Sequence, residues 1–336
     1  MKNLSIIIPT YKRKDRLEKT ISSILDSDSE NIEFIFVDNN SKDGTEELIK
    51  NHQQDDKRIR YFKNQTNIGA NRNIYRGYLE SFSDWIMILT DDDYLKKGFL
   101  EEVLELIKKN KECGLIIPAK KDEELVYNQT TRVKSSEEAF KVAYGSSGVI
   151  TGLMFNKKYL NSVKWKLDDS IYPQISLASQ ISLISDIIYM VPENKPIIGK
   201  WGDNIINLER PIDFGVIERI NILTDNINKV KKETRNEILY SLTGTMLSWA
   251  TIVAKDIYIL NNVSGLLFIK SLFKNKHLKS SVIFYALIFK NLIIKNEIKL
   301  FDKLYFIYLI LNNLLKSLLK INFYNSFYFG IKIYSS

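Results

Sequence analysis

Short apolar runs alternate with helical patterns along the N-terminal part of the chain. Runs with no polar alternation predict buried strands at 4–8, 32–37 and 85–89, and a shorter strand is expected at 58–62. Between the first two runs, Leu17, Ile21 and Ile24 recur at the spacing of a helix with one buried face. Strands that alternate with helices are joined by right-handed crossovers into a largely parallel sheet. The pattern therefore predicts an α/β fold.

Polar residues follow three of these predicted strands directly. Thr10, Asp38 and Asp91 each stand where an apolar run ends. Ligands of open parallel sheets bind outside the carboxyl ends of the strands. The three side chains are therefore expected to converge on one edge of the sheet and to form a ligand site there.

Three consecutive carboxylates, Asp91, Asp92 and Asp93, follow the strand at 85–89. Adjacent carboxylates repel one another and cannot be buried unpaired at low cost. A hard divalent cation would neutralise them, and a diphosphate could complete its oxygen coordination. The alternative is a solvated acidic turn before a helix that starts near Gly98.

The loops after the first strands carry groups suited to a nucleotide. Asp38 could accept hydrogen bonds from a base or ribose, and Tyr11 could lie against a base. Arg13 and Arg72 could bind phosphate with their forked donors. The alternatives are a helix cap and turn over 38–44 and a solvated helix position for Arg72.

The single cysteine, Cys113, excludes a disulfide within the chain and is expected to be a buried, inert thiol. The apolar run that starts at Leu4 stops at Pro9, too early for a signal peptide. These features predict a cytoplasmic protein.

Positive charge is concentrated at the C-terminal end. The whole chain has a net charge of +8, and residues 261–336 alone contain eleven lysines, no arginine and two acidic residues. Lysines alternate there with bulky aliphatic and aromatic residues in helical patterns, but no uncharged run reaches the roughly 18–20 residues of a spanning helix. Such segments can lie on an anionic membrane surface. A helical bundle, with a possible role in a homo-oligomer, is the alternative, and nucleic-acid binding is disfavoured.

Four ordered motifs, at 5–13, 37–45, 67–73 and 91–93, resemble those of the family 2 glycosyltransferases. The resemblance extends over about residues 1–205, and its closest likeness is to the abequosyltransferase-like enzymes of O-antigen and capsule synthesis. It implies a GT-A fold that binds a nucleoside diphosphate-sugar with Mn²⁺ or Mg²⁺. The residues implied in nucleotide-sugar binding are Thr10, Tyr11, Arg13, Asp38, Asn67, Arg72 and Asp91.

The resemblance leaves two assignments open for the acidic triplet. The family's Asp-x-Asp motif corresponds either to Asp91 and Asp93, or to Asp91 on the ribose side with Asp92 on the metal. Asp92 and Asp93 are therefore the expected metal ligands.

The general base is where the sequence departs from the family. The family's Glu-Asp pair would fall on Pro173 and Gln174, and an amide cannot accept the proton. Asp169, with Asp168 as second choice, is the expected base, although a solvated loop acid is an equal alternative. Trp201 and Asp203 are expected to bind the acceptor.

These observations predict a GT-A domain over 1–212, with a donor half at about 1–115 and an acceptor half at about 116–212. A helical region, residues 213–336, would dock on the membrane or on another subunit.

The expected function is inverting transfer of a sugar to a lipid-linked glycan of a bacterial surface polysaccharide, at the inner face of the membrane. A catalytically inactive nucleotide-sugar or glycan-binding module is the alternative. A sugar nucleotidyltransferase is disfavoured because residues 9–13 contain no glycine.

Overall fold

The computed structural model describes residues 2–27, 29–119, 125–167, 170 and 172–193, and isolated positions between 219 and 238. The chain divides into two compact units, Met1–Asp203 and Asn204–Ser336. All strands and helices given below lie in the first unit. The predicted domain boundary at 212 and almost all of the predicted helical region 213–336 lie outside the described residues and stay predictions.

Eight strands form one sheet in the order β3-β2-β1-β4-β7-β5-β8-β6. Strands β1 to β4 are mutually parallel, β7 is antiparallel to β4 and β5, and β6 is antiparallel to β8. The strands are β1 Leu4–Thr10, β2 Ile32–Asp38, β3 Ile59–Lys63, β4 Trp85–Ile88, β5 Leu115–Pro118, β6 Thr131–Val133, β7 Met154–Asn156 and β8 Ile187–Met190.

Seven helices connect these strands in the described part of the chain. They are α1 Lys14–Leu25, α2 Thr45–Asp55, α3 Ala70–Glu80, α4 Phe99–Lys109, α5 Glu137–Ser146, α6 Lys157–Leu160 and α7 Pro173–Ser182.

Two apolar layers cover the two faces of the sheet. One layer packs α1 and α4 against the sheet through residues such as Ile24 and Val103. The other packs α3, α5 and α7 against the opposite face, with Ile74, Ala143 and Leu177 among its buried residues. Because both faces are covered, the central strands consist of continuous apolar runs, as the sequence pattern indicated.

The sheet is mixed rather than uniformly parallel. Strand β6 has only three residues and is partly exposed, and β7 also has three, so neither has a strong period-two pattern. The parallel half at β1 to β4 agrees with the sequence prediction. Its carboxyl end, where the ligand site is expected, is called the ligand edge below.

Cys113 is buried as predicted. Within the part of the chain that the structure describes, no helix combines the length and the apolar character needed to span a bilayer.

Candidate functional site

The carboxyl ends of β1, β2 and β4 lie side by side at one edge of the sheet. Thr10 at the end of β1 is directly opposite Asp38 at the end of β2. Strand β1 also pairs with β4, whose chain continues into Asp91. The strand order reverses direction at β1, and such a switch point opens a crevice between the loops that leave the sheet. The structure therefore brings Thr10, Asp38 and Asp91 to the same edge.

The loops after β1 and β2 are joined by hydrogen bonds that backbone amides donate. The amide of Asn39 donates to the Thr10 carbonyl at 2.9 Å, and the amide of Lys12 donates to Ser41 Oγ at 2.8 Å. Lys12 and Asn40 have left-handed backbone conformations, with φ of 55° and 67°. Non-glycine residues adopt this conformation mainly where surrounding contacts hold it. The two loops thus form one preorganised wall of the crevice.

Asp38 is fully buried at this edge. Its Oδ1 accepts a hydrogen bond from the Ser41 amide at 2.8 Å, and its Oδ2 accepts one from the Tyr61 hydroxyl at 2.8 Å. Burial, together with the hydrogen bond to Asp38, raises the pKa of Tyr61. One carboxylate oxygen therefore makes the turn contact of the cap-and-turn alternative, the other is bonded to Tyr61 on β3, and the nucleoside contact of Asp38 stays a prediction.

A network of asparagine side chains, which sequence reasoning missed, supports the same wall. Asn39 Nδ2 donates to Asn67 Oδ1 at 2.6 Å, and Asn64 Nδ2 donates to Asn73 Oδ1 at 2.6 Å. Asn64 also donates to Asn39 Oδ1 at 3.0 Å, and Asn73 donates to the Val37 carbonyl at 2.7 Å. The network links the end of β2 to the start of α3. Asn67, predicted to bind nucleotide, belongs to it.

Tyr11 and Arg72 reach solvent beside this wall. Tyr11 is 37% exposed, and the neighbouring Asn67 side chain lowers the pKa of its hydroxyl. Arg72 is an exposed residue in the first turn of α3. Both positions are compatible with ligand contact, and their roles stay predictions.

The three carboxylates of the acidic triplet have different surroundings. Asp93 is buried, and its Oδ2 accepts a hydrogen bond from Thr90 Oγ1 at 2.6 Å and another from Thr151 Oγ1. Asp92 is partly exposed, and its Oδ2 lies 3.5 Å from Arg13 Nη1 and 3.4 Å from Arg16 Nη1. The repulsion expected from the sequence is thus relieved by turning one carboxylate inward and pairing another with arginines.

Asp91 lies between these two environments. Burial, with a smaller contribution from the neighbouring Asp92 charge, raises the pKa of its carboxyl to about 6, against partial compensation by the Thr10 side chain. A carboxylate that is buried beside a like charge gains from a nearby cation. The site therefore favours an additional positive charge near Asp91 and Asp92.

Among the described residues, no group of three or more His, Cys, Asp or Glu side chains is arranged to hold a metal ion. A cation that shares its coordination with a diphosphate needs fewer protein ligands. Asp92 fits such a cation, because its carboxylate is partly exposed and its ion pairs are long. Asp93 fits less well, since threonine hydroxyls already contact its Oδ2.

The acceptor side is only partly described. Asp168, Asp169, Trp201 and Asp203 lie outside the described residues, so their predicted roles remain predictions. Gln174 lies in the first turn of α7, where it is buried and donates to the Gly148 carbonyl at 2.9 Å.

The segment that leads to Asp168 is held along α3. Asn161 Oδ1 accepts a hydrogen bond from the Tyr78 hydroxyl, and the Trp165 ring lies 5.0 Å from the ring of Tyr75. At the other end of the segment, Asn71 donates to the Ser170 carbonyl at 2.8 Å. Ser170 therefore lies at the start of α3, close to the sheet edge that carries Thr10, Asp38 and Asp91.

Sequence comparison identifies relatives of the N-terminal region. Residues 5–165 match the family described as Glycosyl transferase family 2. The chain is 40% identical over 106 residues to the GalNAc(5)-diNAcBac-PP-undecaprenol beta-1,3-glucosyltransferase of Campylobacter jejuni, a match that covers 31% of this chain and 34% of that protein. It is 37% identical over 100 residues to the abequosyltransferase RfbV of Salmonella typhimurium, covering 29% and 30%. The chain thus spans roughly a third of the length of these curated relatives.

Two solved structures share the fold at low sequence identity. TarS of S. aureus in complex with UDP-GlcNAc aligns with a TM-score of 0.55 and 16% identity, over 68% of this chain and 72% of that chain. The mannosyltransferase PcManGT of Pyrobaculum calidifontis, in complex with GDP-Man and Mn²⁺, aligns with a TM-score of 0.55 and 14% identity, over 84% of each chain. These likenesses confirm the predicted GT-A fold, and the family match confirms the resemblance drawn from the motifs.

Proposed function

We propose that the chain transfers a sugar from a nucleoside diphosphate-sugar to a glycan acceptor, on the premise that residues 5–165, which match Glycosyl transferase family 2, form a domain of that family with the GT-A fold. The observation that carries the proposal is the convergence of the loops after β1, β2 and β4 at one edge. That convergence puts the arginine-paired Asp92 and the buried Asp91 beside a hydrogen-bonded wall of backbone and asparagine side chains.

In this proposal the wall binds the nucleoside. Asp38, Asn67 and the loop at Thr10 form its rigid part, while Tyr11 supplies an exposed ring that can lie against the base. The guanidinium groups of Arg13 and Arg72 would pair with the diphosphate.

A divalent cation, Mn²⁺ or Mg²⁺, would be held by Asp92 with Asp91 nearby, and Asp93 would orient the loop from inside. When bound, the cation neutralises charge that builds up on the departing diphosphate. The partly exposed Asp92 and the inward-turned Asp93 support this assignment over the one that pairs Asp91 with Asp93.

On the acceptor side we propose an inverting reaction with Asp169, or else Asp168, as general base. The course of the described chain along α3 supports this choice, because Ser170 is held at Asn71 near the ligand edge. Gln174, at the usual position of the base, would act only as a structural residue. Trp201 and Asp203 are proposed to contact the acceptor sugar.

The proposed acceptor is a lipid-linked glycan of a bacterial surface polysaccharide. Support comes from the Campylobacter relative, whose name gives a glycan on PP-undecaprenol, and from TuaG of Bacillus subtilis, a putative teichuronic acid glycosyltransferase that is 32% identical over 104 residues. An acceptor of this kind would place the protein at the inner face of the cell membrane, with its lysine-rich C-terminal region on anionic lipid.

The experiment that tests the proposal is a calorimetric titration with UDP, GDP, CDP and dTDP, each with and without Mn²⁺. We expect one nucleotide to bind tightly only when Mn²⁺ is present, and Asp92→Ala to weaken that binding at least tenfold. Glu105→Gln, an exposed acid on α4, is the matched control and should leave binding unchanged. If the folded protein binds none of the four, the donor assignment is wrong and the inactive binding-module alternative becomes the better account.

A further inference from the structure

One oxygen of Asp92 is shared by two arginines. Arg13 stands at the N-cap of α1 and Arg16 lies in the first turn of that helix. Their Nη1 atoms are 3.5 and 3.4 Å from Asp92 Oδ2, with side chains 35% and 40% exposed. Arg16 was not among the residues that the sequence motifs pointed to.

These contacts are loose for pairs of this type. Charge-assisted guanidinium–carboxylate hydrogen bonds are usually about 2.7–2.9 Å long and often use two donors. Here each arginine contacts the oxygen through one nitrogen at a longer distance, so most of its donor fork is uncommitted to Asp92. Exposed pairs of this quality contribute at most about 1 kcal/mol to stability, so folding alone gives little reason for two arginines here.

The position of Arg16 is also electrostatically unusual. A helix N-terminus carries partial positive charge, and a cation in the first turn is disfavoured there. Two guanidinium groups at the start of α1 are therefore stabilised by nearby anions, and Asp92, besides Asp15 in the first turn of the helix, is one of them.

Building on the proposed function, we infer that Arg16 binds the donor diphosphate together with Arg13, and that Asp92 holds both arginines in place until a cation and a diphosphate bind. A cation on Asp92 alone would face two uncompensated guanidinium groups. A diphosphate alone would compete with Asp92 for the same donors. When both bind, the cation takes Asp92 and the diphosphate takes the arginines, so that charges balance and the two ligands strengthen each other's binding.

In Arg16→Gln the affinities for the two ligands are expected to change in opposite directions. Without Arg16, the cation meets less repulsion and less competition for Asp92. We therefore expect Mn²⁺ alone to bind to Arg16→Gln at least about three times more tightly than to wild type. The nucleoside diphosphate, at saturating Mn²⁺, loses one guanidinium and should bind about tenfold more weakly. A purely structural role of Arg16 would move both affinities in the same direction or neither.

The test uses the full-length chain. Free Mn²⁺ is followed by electron paramagnetic resonance during titration without nucleotide, and calorimetry with saturating Mn²⁺ measures the tightest binder among UDP, GDP, CDP and dTDP. Arg16→Lys keeps the charge but not the fork, so it should retain weak Mn²⁺ binding and recover only part of the nucleotide affinity. Lys108→Gln, in the last turn of α4, controls for the loss of one positive charge.

The outcomes separate this inference from the proposed function. If wild type binds a nucleotide with Mn²⁺ but Arg16→Gln behaves like Lys108→Gln in both titrations, the role of Arg16 is wrong and the donor site stands. If Mn²⁺ and nucleotide affinities both fall, Arg16 stabilises the loop and does not oppose the cation, which also overturns the inference. If wild type binds neither Mn²⁺ nor any nucleotide, the proposed function fails and this inference fails with it.

Discussion

The acidic triplet illustrates how identical side chains acquire different roles through their neighbours. Asp92 faces arginines and solvent, Asp91 is buried at the crevice, and Asp93 faces two threonine hydroxyls. The sequence places all three after a buried strand and predicts a charged site, but it does not predict these orientations. The orientation of Asp93, for example, depends on Thr151, which is 58 residues away in the chain.

Thr151→Val tests the inward role of Asp93. Valine has nearly the same shape as threonine but cannot donate to Asp93 Oδ2. Loss of a buried hydrogen bond to a charged group should lower the free energy of unfolding by about 1.5–3 kcal/mol, measured by urea titration. Thr66→Val, at an exposed loop position, should change it by no more than about 0.5 kcal/mol. Equal effects of the two substitutions would show that Asp93 gains nothing from Thr151.

Asp169→Asn tests the proposed base. The amide is nearly isosteric and cannot accept the acceptor's proton, so we expect unchanged binding of nucleotide with Mn²⁺ and at least a hundredfold loss of transfer. Gln174→Ala is the comparison, because its side chain is proposed to be structural and its loss should affect transfer far less. Near-normal turnover of Asp169→Asn in a radiolabelled-sugar assay would place the base elsewhere.

At the scale of elements, the amino end of the sheet carries a buried charge that has no part in the proposed reaction. Glu33 on β2 is 3% exposed and accepts hydrogen bonds from Arg60 Nη1 on β3 at 2.8 Å, from the Phe82 amide at 2.8 Å and from Ser5 on β1. This carboxylate joins three strands, β1, β2 and β3, to the segment that enters β4. The link holds the parallel half of the sheet together at the end opposite the ligand edge.

The ionisation of Glu33 makes this link sensitive to pH. Burial opposes the charged form, but hydrogen bonds from Ser5, Phe82 and Arg60 outweigh it and lower the pKa below 4.5. A carboxyl whose folded pKa lies below its unfolded pKa stabilises the fold above the unfolded value, and this contribution is lost as the pH falls through the folded pKa.

Glu33→Gln should therefore lower the free energy of unfolding by about 1.5–3 kcal/mol at pH 7, since its amide would put a second donor against Arg60. The difference from wild type should shrink progressively below about pH 4.5. Urea titrations at several pH values measure it, and Glu105→Gln, in an exposed pair with Lys109, serves as control with a loss of at most about 1 kcal/mol. A difference that does not change with pH would mean that the charge of Glu33 contributes nothing.

Elements differed in how well the sequence predicted them, for physical reasons. Strands β1, β2 and β4 are buried on both faces, so their apolar runs stand out, and the loops after them carried the site motifs. Strand β6 has only three residues, of which one is buried, and this leaves almost no pattern. The asparagine network at the start of α3 was also missed, because side-chain hydrogen bonds between distant loops have no periodicity in sequence.

At the scale of the whole molecule, charge separates the chain into two regions. Residues 261–336 carry a net charge of +9, whereas the remainder carries a net charge of −1. Sequence alone defines this asymmetry, since the region lies outside the described residues. It supports a division of labour in which an almost neutral domain handles nucleotide and sugar while the basic region holds the protein near its acceptor.

The membrane role of the basic region can be tested by changing charge without removing chain. We expect the full-length protein to co-sediment with phosphatidylglycerol vesicles far more than with phosphatidylcholine vesicles, and less so at high salt, because each lysine near an anionic surface contributes about 1 kcal/mol. Substituting glutamine for Lys270, Lys274, Lys276 and Lys279 should weaken vesicle binding at least tenfold and leave nucleotide binding intact. Substituting glutamine for Lys57, Lys97, Lys108 and Lys164 removes the same charge from the first unit and serves as control.

Equal effects of the two sets of substitutions on vesicle binding would assign the attraction to the vesicles to the overall charge of the protein. No binding by wild type, together with a concentration-dependent increase in its mass by light scattering, would instead favour a subunit interface.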